Sequence, residues 1–345
     1  MCDVGSAGRL SAFLFLFSVV FVCQRYAFDF LSQHTHIKGT GGFLVKTKTY
    51  GLTAVHEGAP DKPNEDAFSI DEESGIVVVA DGVTRSRRPD GGYPSIHATV
   101  APEIIVFNVP VLLRALPSEL NSLHRAFTCV NQFLGYVNNQ LGYTPDVPNF
   151  FRHIDYLCAG AVVFWHPPHR HSRAALVGWI GDCRLFHLPT EGDTTLITRD
   201  QLLAWNGYYP RAFSEVGLSE DMRERVRSER LFWERKYIRN QKRAQTPTGG
   251  IIDGFGVFTG EPDAVDFIET AVVPVASGDR FIGVSDAFDA CADDGGVGDL
   301  ILILDSLREA SPEKCAREAL YQTRGAEKAK GVRSDDFTFV VVDVL

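Results

Sequence analysis

The stretch GIVVVADGVTRS, residues 75–86, shows a pattern that recurs along the rest of the chain. Its apolar run is short and rich in valine, which is typical of a strand buried on both faces. The run ends on Asp81 and Gly82, and an Asp-Gly pair commonly closes a turn. Taken alone, the stretch predicts a buried strand followed by a turn.

The same arrangement recurs at four other places. Three stretches pair an apolar, β-rich run with aspartate at its edge, namely LVGWIGDCRLFHL (176–188), RFIGVSDAFDA (280–290) and VRSDDFTFVVVDVL (332–345). A fourth, KPNEDAFSID (62–71), places Glu65 and Asp66 before a short apolar run. Gathering several carboxylates is costly unless a cation offsets their charge. Because the set has no nearby His or Cys, the pattern predicts a site for hard divalent ions such as Mg²⁺ or Mn²⁺.

Composition narrows the class of protein. The chain has 345 residues, of which 45% are apolar and 23% charged, as is ordinary for a globular protein with a full core. Its net charge of -10, from 44 acidic and 34 basic residues, argues against a nucleic-acid partner. The seven cysteines are scattered and include no C-x-x-C pair, which indicates free thiols in a reducing compartment. We therefore expect a cytoplasmic protein.

The N-terminus carries the apolar run LSAFLFLFSVVFV, residues 10–22. It is too short for a comfortable membrane span of about 20 residues. It also lacks a strongly basic leading region and a typical cleavage site. We expect residues 1–42 to be an extension outside the catalytic domain. The alternative is a signal or anchor, in which case the protein contacts a membrane through 10–22 alone.

The order of predicted elements indicates an α+β fold. Strands are expected as a pair over 43–58, across 155–188, over 266–288 and at the C-terminus. One helix pair lies between 96 and 141, with Ser118 as the expected cap of its second helix, and a final helix begins after Ser311. This order predicts two antiparallel β-sheets packed face to face and flanked by helix pairs, a four-layer α/β/β/α sandwich. Within the domain 43–345, the charged segment 199–250 interrupts the strands and is predicted to be an inserted flap.

The motif order E-D, D-G, G-D-x-R, S-D, D-D resembles that of the metal-dependent protein phosphatases, the type 2C-like (PPM-type) serine/threonine phosphatases. The resemblance extends from Thr47 to Leu345. It implies hydrolysis of phosphoserine and phosphothreonine on a phosphorylated protein substrate. It also implies two Mn²⁺ or Mg²⁺ ions that hold the phosphate and activate water. We expect a monomer.

The resemblance also assigns roles to individual residues. Asp81, Asp286 and Asp335 correspond to the catalytic acids, and the ligands of the two ions are Glu65, Asp81, the carbonyl of Gly82, Asp286 and Asp335. Asp182 corresponds to a third, weaker metal position. Asp66 and Asp336 are expected to support these ligands from outside the coordination shell. Asp289 lies outside the motif, and we expect its replacement by Asn to have no effect.

Three departures from the family pattern leave other functions open. Val83 stands where some members carry a histidine proposed as general acid, and Ala287 stands where glycine is usual. The arginine that commonly precedes E-D is absent, so Lys62 or Arg85 is expected to bind the phosphate instead. The alternatives are a catalytically impaired regulatory or scaffold protein and a small-molecule phosphatase. A cysteine-nucleophile phosphatase is excluded because no H-C-x5-R sequence occurs, and Cys183 is expected to be a core thiol.

Overall fold

Two five-stranded sheets form the centre of the fold. One contains, in spatial order, β1 (Thr47–Ala54), β12 (Phe337–Val344), β11 (Arg280–Val284), β6 (Arg184–Leu188) and β7 (Thr195–Leu196). The other contains β10 (Glu269–Pro274), β5 (Ala174–Ile180), β4 (Ala159–Trp165), β3 (Ile76–Gly82) and β2 (Asp66–Asp71). Neighbouring strands are antiparallel in both sheets. A short ribbon joins β8 (Ala244–Gln245) and β9 (Ile251–Ile252).

The computed structural model describes only part of the chain. The described residues are 47–55, 57, 63–83, 97–142, 157–167, 173–214, 217–292, 296–331 and 335–345. They belong to the larger of the two units into which the chain divides, Phe43–Leu345. The predicted extension 1–42 and its apolar segment 10–22 lie outside the described residues. Within the described ranges, no helix combines the length and apolar character needed to cross a bilayer.

The alternation of side chains along β3 explains how the two sheets pack. Val77 and Val79 point towards the other sheet and join a core with Phe164 and Phe281, whose ring centroids are 4.6 Å apart. Ile76, Val78 and Ala80 point the opposite way, into a core shared with helices. Because side chains alternate across a strand, one continuous apolar run supplies both layers.

Helices cover the outer face of each sheet. The sheet containing β3 packs against α1 (His97–Ala115) and α2 (Leu120–Gln140). The sheet containing β12 packs against α5 (Val297–Ser306) and α6 (Pro312–Lys330), and Ser311 caps α6 by accepting from Lys314 N. The predicted four-layer α/β/β/α sandwich is therefore confirmed.

Two local predictions are wrong. The cap of α2 is Glu119 in extended backbone, and not Ser118, with no side-chain hydrogen bond at that end. The predicted strand pair over 43–58 is in its described part the single strand β1, which pairs with β12. An apolar pattern identifies a strand but does not identify its partner, because here the partner lies at the far end of the chain.

The segment between β7 and β10 contains α3 (Leu203–Ala212) and α4 (Glu220–Trp233). The predicted charged helix 219–239 is thus an α-helix continued by a π-helix, Glu234–Ile238. Trp205 of α3 is buried, and its Nε1 donates to Oε2 of Glu234 at 2.8 Å. This contact joins the two helices of the segment around an aromatic core.

Candidate active site

Acidic residues of the second sheet meet at one edge. Asp66, the first residue of β2, is the register partner of Asp81 near the end of β3. Gly82 N donates to the carbonyl of Glu65 at 3.0 Å, which holds the E-D segment against the D-G segment. Asp182 follows β5, and its Oδ1 would lie 3.4 Å from a Cβ at Gly160 of β4. A side chain at residue 160 would therefore lie against Asp182, and its Cβ would also lie 3.2 Å from Ile180 O.

The first sheet contributes its acids at the same place. Asp286 follows β11 and begins a 3-10 helix, Asp286–Cys291, while Asp335 and Asp336 precede β12. The end of β11 and the start of β12 are joined, because Ser285 N donates to Thr338 O at 3.1 Å and Ser285 Oγ accepts from Thr338 N at 3.0 Å. Between the sheets, Oδ2 of Asp336 accepts from Glu65 N at 2.9 Å. The described acids of the four motif pairs and of G-D-x-R thus lie at one edge of the sandwich.

Burial and mutual repulsion change the acidity of this cluster. Burial raises the pKa of Asp81 well above its ordinary value, and the charges of Asp66, Asp286, Asp182 and Asp335 raise it further. Burial likewise raises the pKa of Asp66, against a hydrogen bond from Ser285. The pKa of Asp286 rises to about 8, first through burial and then through Asp182 and Asp335. Carboxyls that repel one another in this way retain protons near neutral pH unless a cation replaces them.

Arg184 adds one cation to the cluster. It is 3% exposed, and its Nη2 donates to Oδ2 of Asp289 at 2.5 Å and to Oδ2 of Asp200 at 3.3 Å. Burial raises the pKa of Asp289 to about 7 while Arg184 opposes the rise. Burial also raises the pKa of Asp182 to about 7, with Asp200 as the next cause. Asp289, which lies outside the motif, is therefore a neighbour of the acidic cluster, because the charges of Asp286 and Asp200 also raise its pKa. The absence of an effect of Asp289→Asn stays a prediction.

The sequence offered a signal for only one member of this group. Arg184 belongs to the G-D-x-R motif, whereas Asp200 and Asp289 resemble ordinary acids in connecting segments. Their importance depends on contacts across 16 and 105 positions of the chain, which no local pattern records.

Gln201 was also missed, and it joins the ends of the inserted segment to the site. Its Oε1 accepts from Gly181 N at 3.1 Å and from Gly256 N at 3.2 Å. Its Nε2 donates to Phe267 O at 2.8 Å and to Oε1 of Glu269 at 2.9 Å. Gly181 adopts a left-handed φ of 89° directly before Asp182. A single buried amide therefore holds the turn that presents Asp182.

The donor set is suited to hard cations, because it consists of carboxylate oxygen and backbone carbonyl. Oδ2 of Asp66 is buried and accepts no hydrogen bond from the described residues, as expected of an oxygen beside a cation site. Among the described residues, no three His, Cys, Asp or Glu side chains are already arranged as the ligands of one ion. The oxygens are therefore grouped at one edge without forming a finished coordination shell.

The remaining residues are the expected phosphate ligands, the two departures from the family pattern and the thiol of Cys183. Lys62 and Arg85 lie outside the described residues. Val83 is half-buried, and its N donates to Cys158 O at 3.4 Å. Ala287 lies in the 3-10 helix, and its φ is not positive, so alanine fits there without backbone strain. Cys183 is buried and burial raises the pKa of its thiol, so it is a core thiol and not a nucleophile.

Comparison with known proteins places this fold. No protein-family model and no curated protein matches the chain. Among solved structures, PppA, a regulatory component of the T6SS of Pseudomonas aeruginosa, is 19% identical with a TM-score of 0.54, covering 88% of this chain and 99% of that one. Stp1, a serine/threonine phosphatase from Staphylococcus aureus, is 12% identical with a TM-score of 0.54 and covers 90% and 99%.

A third solved structure was determined with metal bound. The catalytic domain of the serine/threonine phosphatase PstP, in complex with two manganese ions, is 17% identical with a TM-score of 0.53 and covers 87% of this chain and 99% of that one. These likenesses show that the chain has the fold of the PPM-type serine/threonine phosphatases, which confirms the resemblance seen in the motifs.

Proposed function

We propose that this chain is a metal-dependent phosphatase that hydrolyses phosphoserine and phosphothreonine on proteins. The observation that carries the proposal is the acidic cluster at one edge of the two sheets. Burial and mutual repulsion raise the pKa values of its members Asp66, Asp81, Asp182 and Asp286. A cluster of this kind destabilises the fold unless it serves to bind cations. The PPM-type fold makes phosphate ester hydrolysis the reaction that fits such a site.

The proposed roles follow the position of each residue. Asp81 lies centrally, since the charges of Asp66, Asp286, Asp182 and Asp335 all act on it, and we assign it to both ions. The remaining ligands are proposed to be Glu65, the Gly82 carbonyl, Asp286 and Asp335, with Asp182 at a third position. Asp66 and Asp336 hold the others, because Asp336 fixes Glu65 N and Asp66 lies beside Asp81. Two Mn²⁺ or Mg²⁺ ions are the proposed cofactors, in keeping with the manganese of the PstP structure.

The chain's own contribution to catalysis is positioning and charge. When bound, the two ions would neutralise the phosphate oxygens and make a water molecule more acidic. The protein holds the carboxylates on the ends of β3, β5, β11 and β12, which are rigid because their neighbours on the sheets are buried. Arg184 limits the repulsion between Asp200 and Asp289. Lys62 and Arg85 are proposed to hold the substrate phosphate.

The proposal extends to the whole unit and its setting. Residues 43–345 are the proposed catalytic domain, with 199–250 as a flap beside the site, acting as a cytoplasmic monomer on phosphorylated proteins. The impaired-scaffold alternative loses one of its arguments, because Ala287 fits its backbone without strain. All the acidic positions of the motifs are also retained.

The proposal is tested by hydrolysis of an aryl phosphate after chelation with EDTA. Activity should be negligible in EDTA and return with Mn²⁺ better than with Ca²⁺, because Mn²⁺ suits a compact oxygen site. Phosphoserine and phosphothreonine peptides should be preferred to phosphotyrosine peptides. Full activity in EDTA, with no metal found by elemental analysis, would overturn the metal-dependent mechanism, and a phosphotyrosine preference would overturn the substrate class.

A further inference from the structure

Asp335 is held at both of its backbone polar groups by two neighbours on α6. Oε1 of Glu327 accepts from Asp335 N at 3.1 Å, and Nη1 of Arg324 donates to Asp335 O at 2.9 Å. The same Nη1 lies 2.8 Å from Oε2 of Glu327, so the two side chains form an ion pair one turn apart. Their side chains are only 10% and 5% exposed. We call Arg324 and Glu327 the α6 clamp.

From Asp335 the hydrogen bonds continue into the site. Asp336 N donates to Oδ1 of Asp335 at 2.9 Å, and Oδ2 of Asp336 accepts from Glu65 N at 2.9 Å. The carbonyl of Glu65 then accepts from Gly82 N at 3.0 Å. The path leads from α6 through Asp335 and Asp336 to Glu65 and Gly82. It thus connects three proposed ligands from three separate chain segments, namely Asp335, Glu65 and Gly82.

A second contact gives the clamp another point of attachment. Nη2 of Arg324 donates to Val55 O at 3.1 Å, just after the end of β1. Because Nη1 and Nη2 bind carbonyls from different ends of the chain, the planar guanidinium is required and the single ammonium of lysine cannot replace both bonds. The same side chain therefore holds Asp335 and the chain leaving β1 at once.

We infer that Arg324 and Glu327 are positioning residues that set Asp335 and, through Asp336, Glu65 for cation binding. The inference rests on the proposed function, since it assigns a task to the same metal centre. Groups that orient metal ligands from outside typically change affinity by about 10- to 100-fold when removed. An ion pair with a purely structural task would change the melting temperature and leave the affinity of the folded protein unaltered.

The test is calorimetric titration of Mn²⁺ into the full chain and its variants at a temperature where circular dichroism shows all of them folded. Arg324→Ala should weaken Mn²⁺ binding about 10- to 100-fold. Glu327→Gln, which keeps an acceptor for Asp335 N, and Arg324→Lys should each weaken it less. The matched control is Arg317→Ala on the same helix, because Arg317 pairs with Glu313 at 3.0 Å in an exposed position. The control should bind as the wild type does.

A second readout separates failure of the clamp from failure of the proposed function. Amide hydrogen exchange in EDTA, measured on peptides containing Glu65 and Asp336, should be about tenfold faster in Arg324→Ala and unchanged in Arg317→Ala. Wild-type protein that binds no Mn²⁺ would overturn the proposed function, and the exchange rates would still decide the clamp. Unchanged affinity and exchange in Arg324→Ala would overturn the clamp alone. Should that variant not fold, unchanged values in both Arg324→Lys and Glu327→Gln would overturn it.

Discussion

Replacing Asp286 by asparagine should stabilise the protein in the absence of metal. Burial, with Asp182 and Asp335, raises the pKa of this carboxyl from 3.8 to about 8. At pH 7 the group is therefore protonated in the folded protein and ionised in the unfolded chain. At about 1.4 kcal/mol per pH unit between 3.8 and 7, this difference costs the fold about 4 kcal/mol. Asparagine is uncharged in both states and removes that cost.

The observed gain should be smaller than this limit. Water reaches part of the Asp286 side chain, and asparagine must replace its hydrogen bond with Asp81. We expect about 2 kcal/mol, or about 3 °C in Tm for a domain of this size. The gain depends on pH in a defined way. Because the pKa of Asp286 is raised in the folded wild type, its contribution to wild-type stability is fully present below pH 4 and is lost as pH rises towards 8, whereas asparagine does not titrate. The metal-free wild type should thus lose stability between pH 5 and pH 8, and Asp286→Asn should lose less.

The assay is urea denaturation in EDTA at pH 5, 7 and 8. The control is Asp193→Asn, because Asp193 is exposed in the connection between β6 and β7, which follows the end of β6 opposite to Arg184. The control should show no difference from the wild type at any pH. If Asp286→Asn is less stable than the wild type at both pH 7 and pH 8, Asp286 does not lie among repelling carboxylates and the account of the site is wrong.

Two further substitutions test the surroundings of the cluster. Gln201→Ala should lower the free energy of unfolding by about 3 kcal/mol, because the buried N–H groups of Gly181 and Gly256 lose their acceptor. The control Gln322→Ala on α6 should change it by about 0.5 kcal/mol at most, and urea denaturation measures both. Arg184→Met should cost about 3 kcal/mol at pH 8 and clearly less at pH 5, where Asp289 and Asp182 are protonated with or without the guanidinium. An equal loss at the two pH values would show that Arg184 does not offset these acids.

The sequence predicted the layers of the fold because each layer leaves a local signal. The unbroken apolar run of β3 requires that both faces of the strand are buried, and the periodic apolar residues of α2 require that one face of the helix is buried. The pairing of strands is harder to predict from sequence, since β1 pairs with a strand almost 300 positions away. The Ser118 cap was wrong by one residue, because the helix begins after Glu119, whose side chain makes no capping hydrogen bond and leaves no sequence signal.

The site was predictable only where strand ends carry the acids. Asp81 directly follows an apolar run, and Asp286 follows one after a single serine, so their position on a common edge follows from the topology. Asp289, by contrast, acquires its role from Arg184. Arg324 and Glu327 have the spacing of any solvent-facing helical ion pair, and only tertiary packing places them beside Asp335. A local pattern cannot separate them from the exposed pair on the same helix.

The most direct test of the central claim is calorimetric titration of Mn²⁺ into the wild type and Asp81→Asn. Asparagine keeps the shape of the side chain and removes the charge that lies at the centre of the cluster. Since Asn-Gly closes a turn as well as Asp-Gly, a turn residue would tolerate the change. The wild type should bind two Mn²⁺ ions, and Asp81→Asn should remain folded and lose that binding. Wild-type Mn²⁺ affinity in Asp81→Asn would contradict the account and make Asp81 a turn residue.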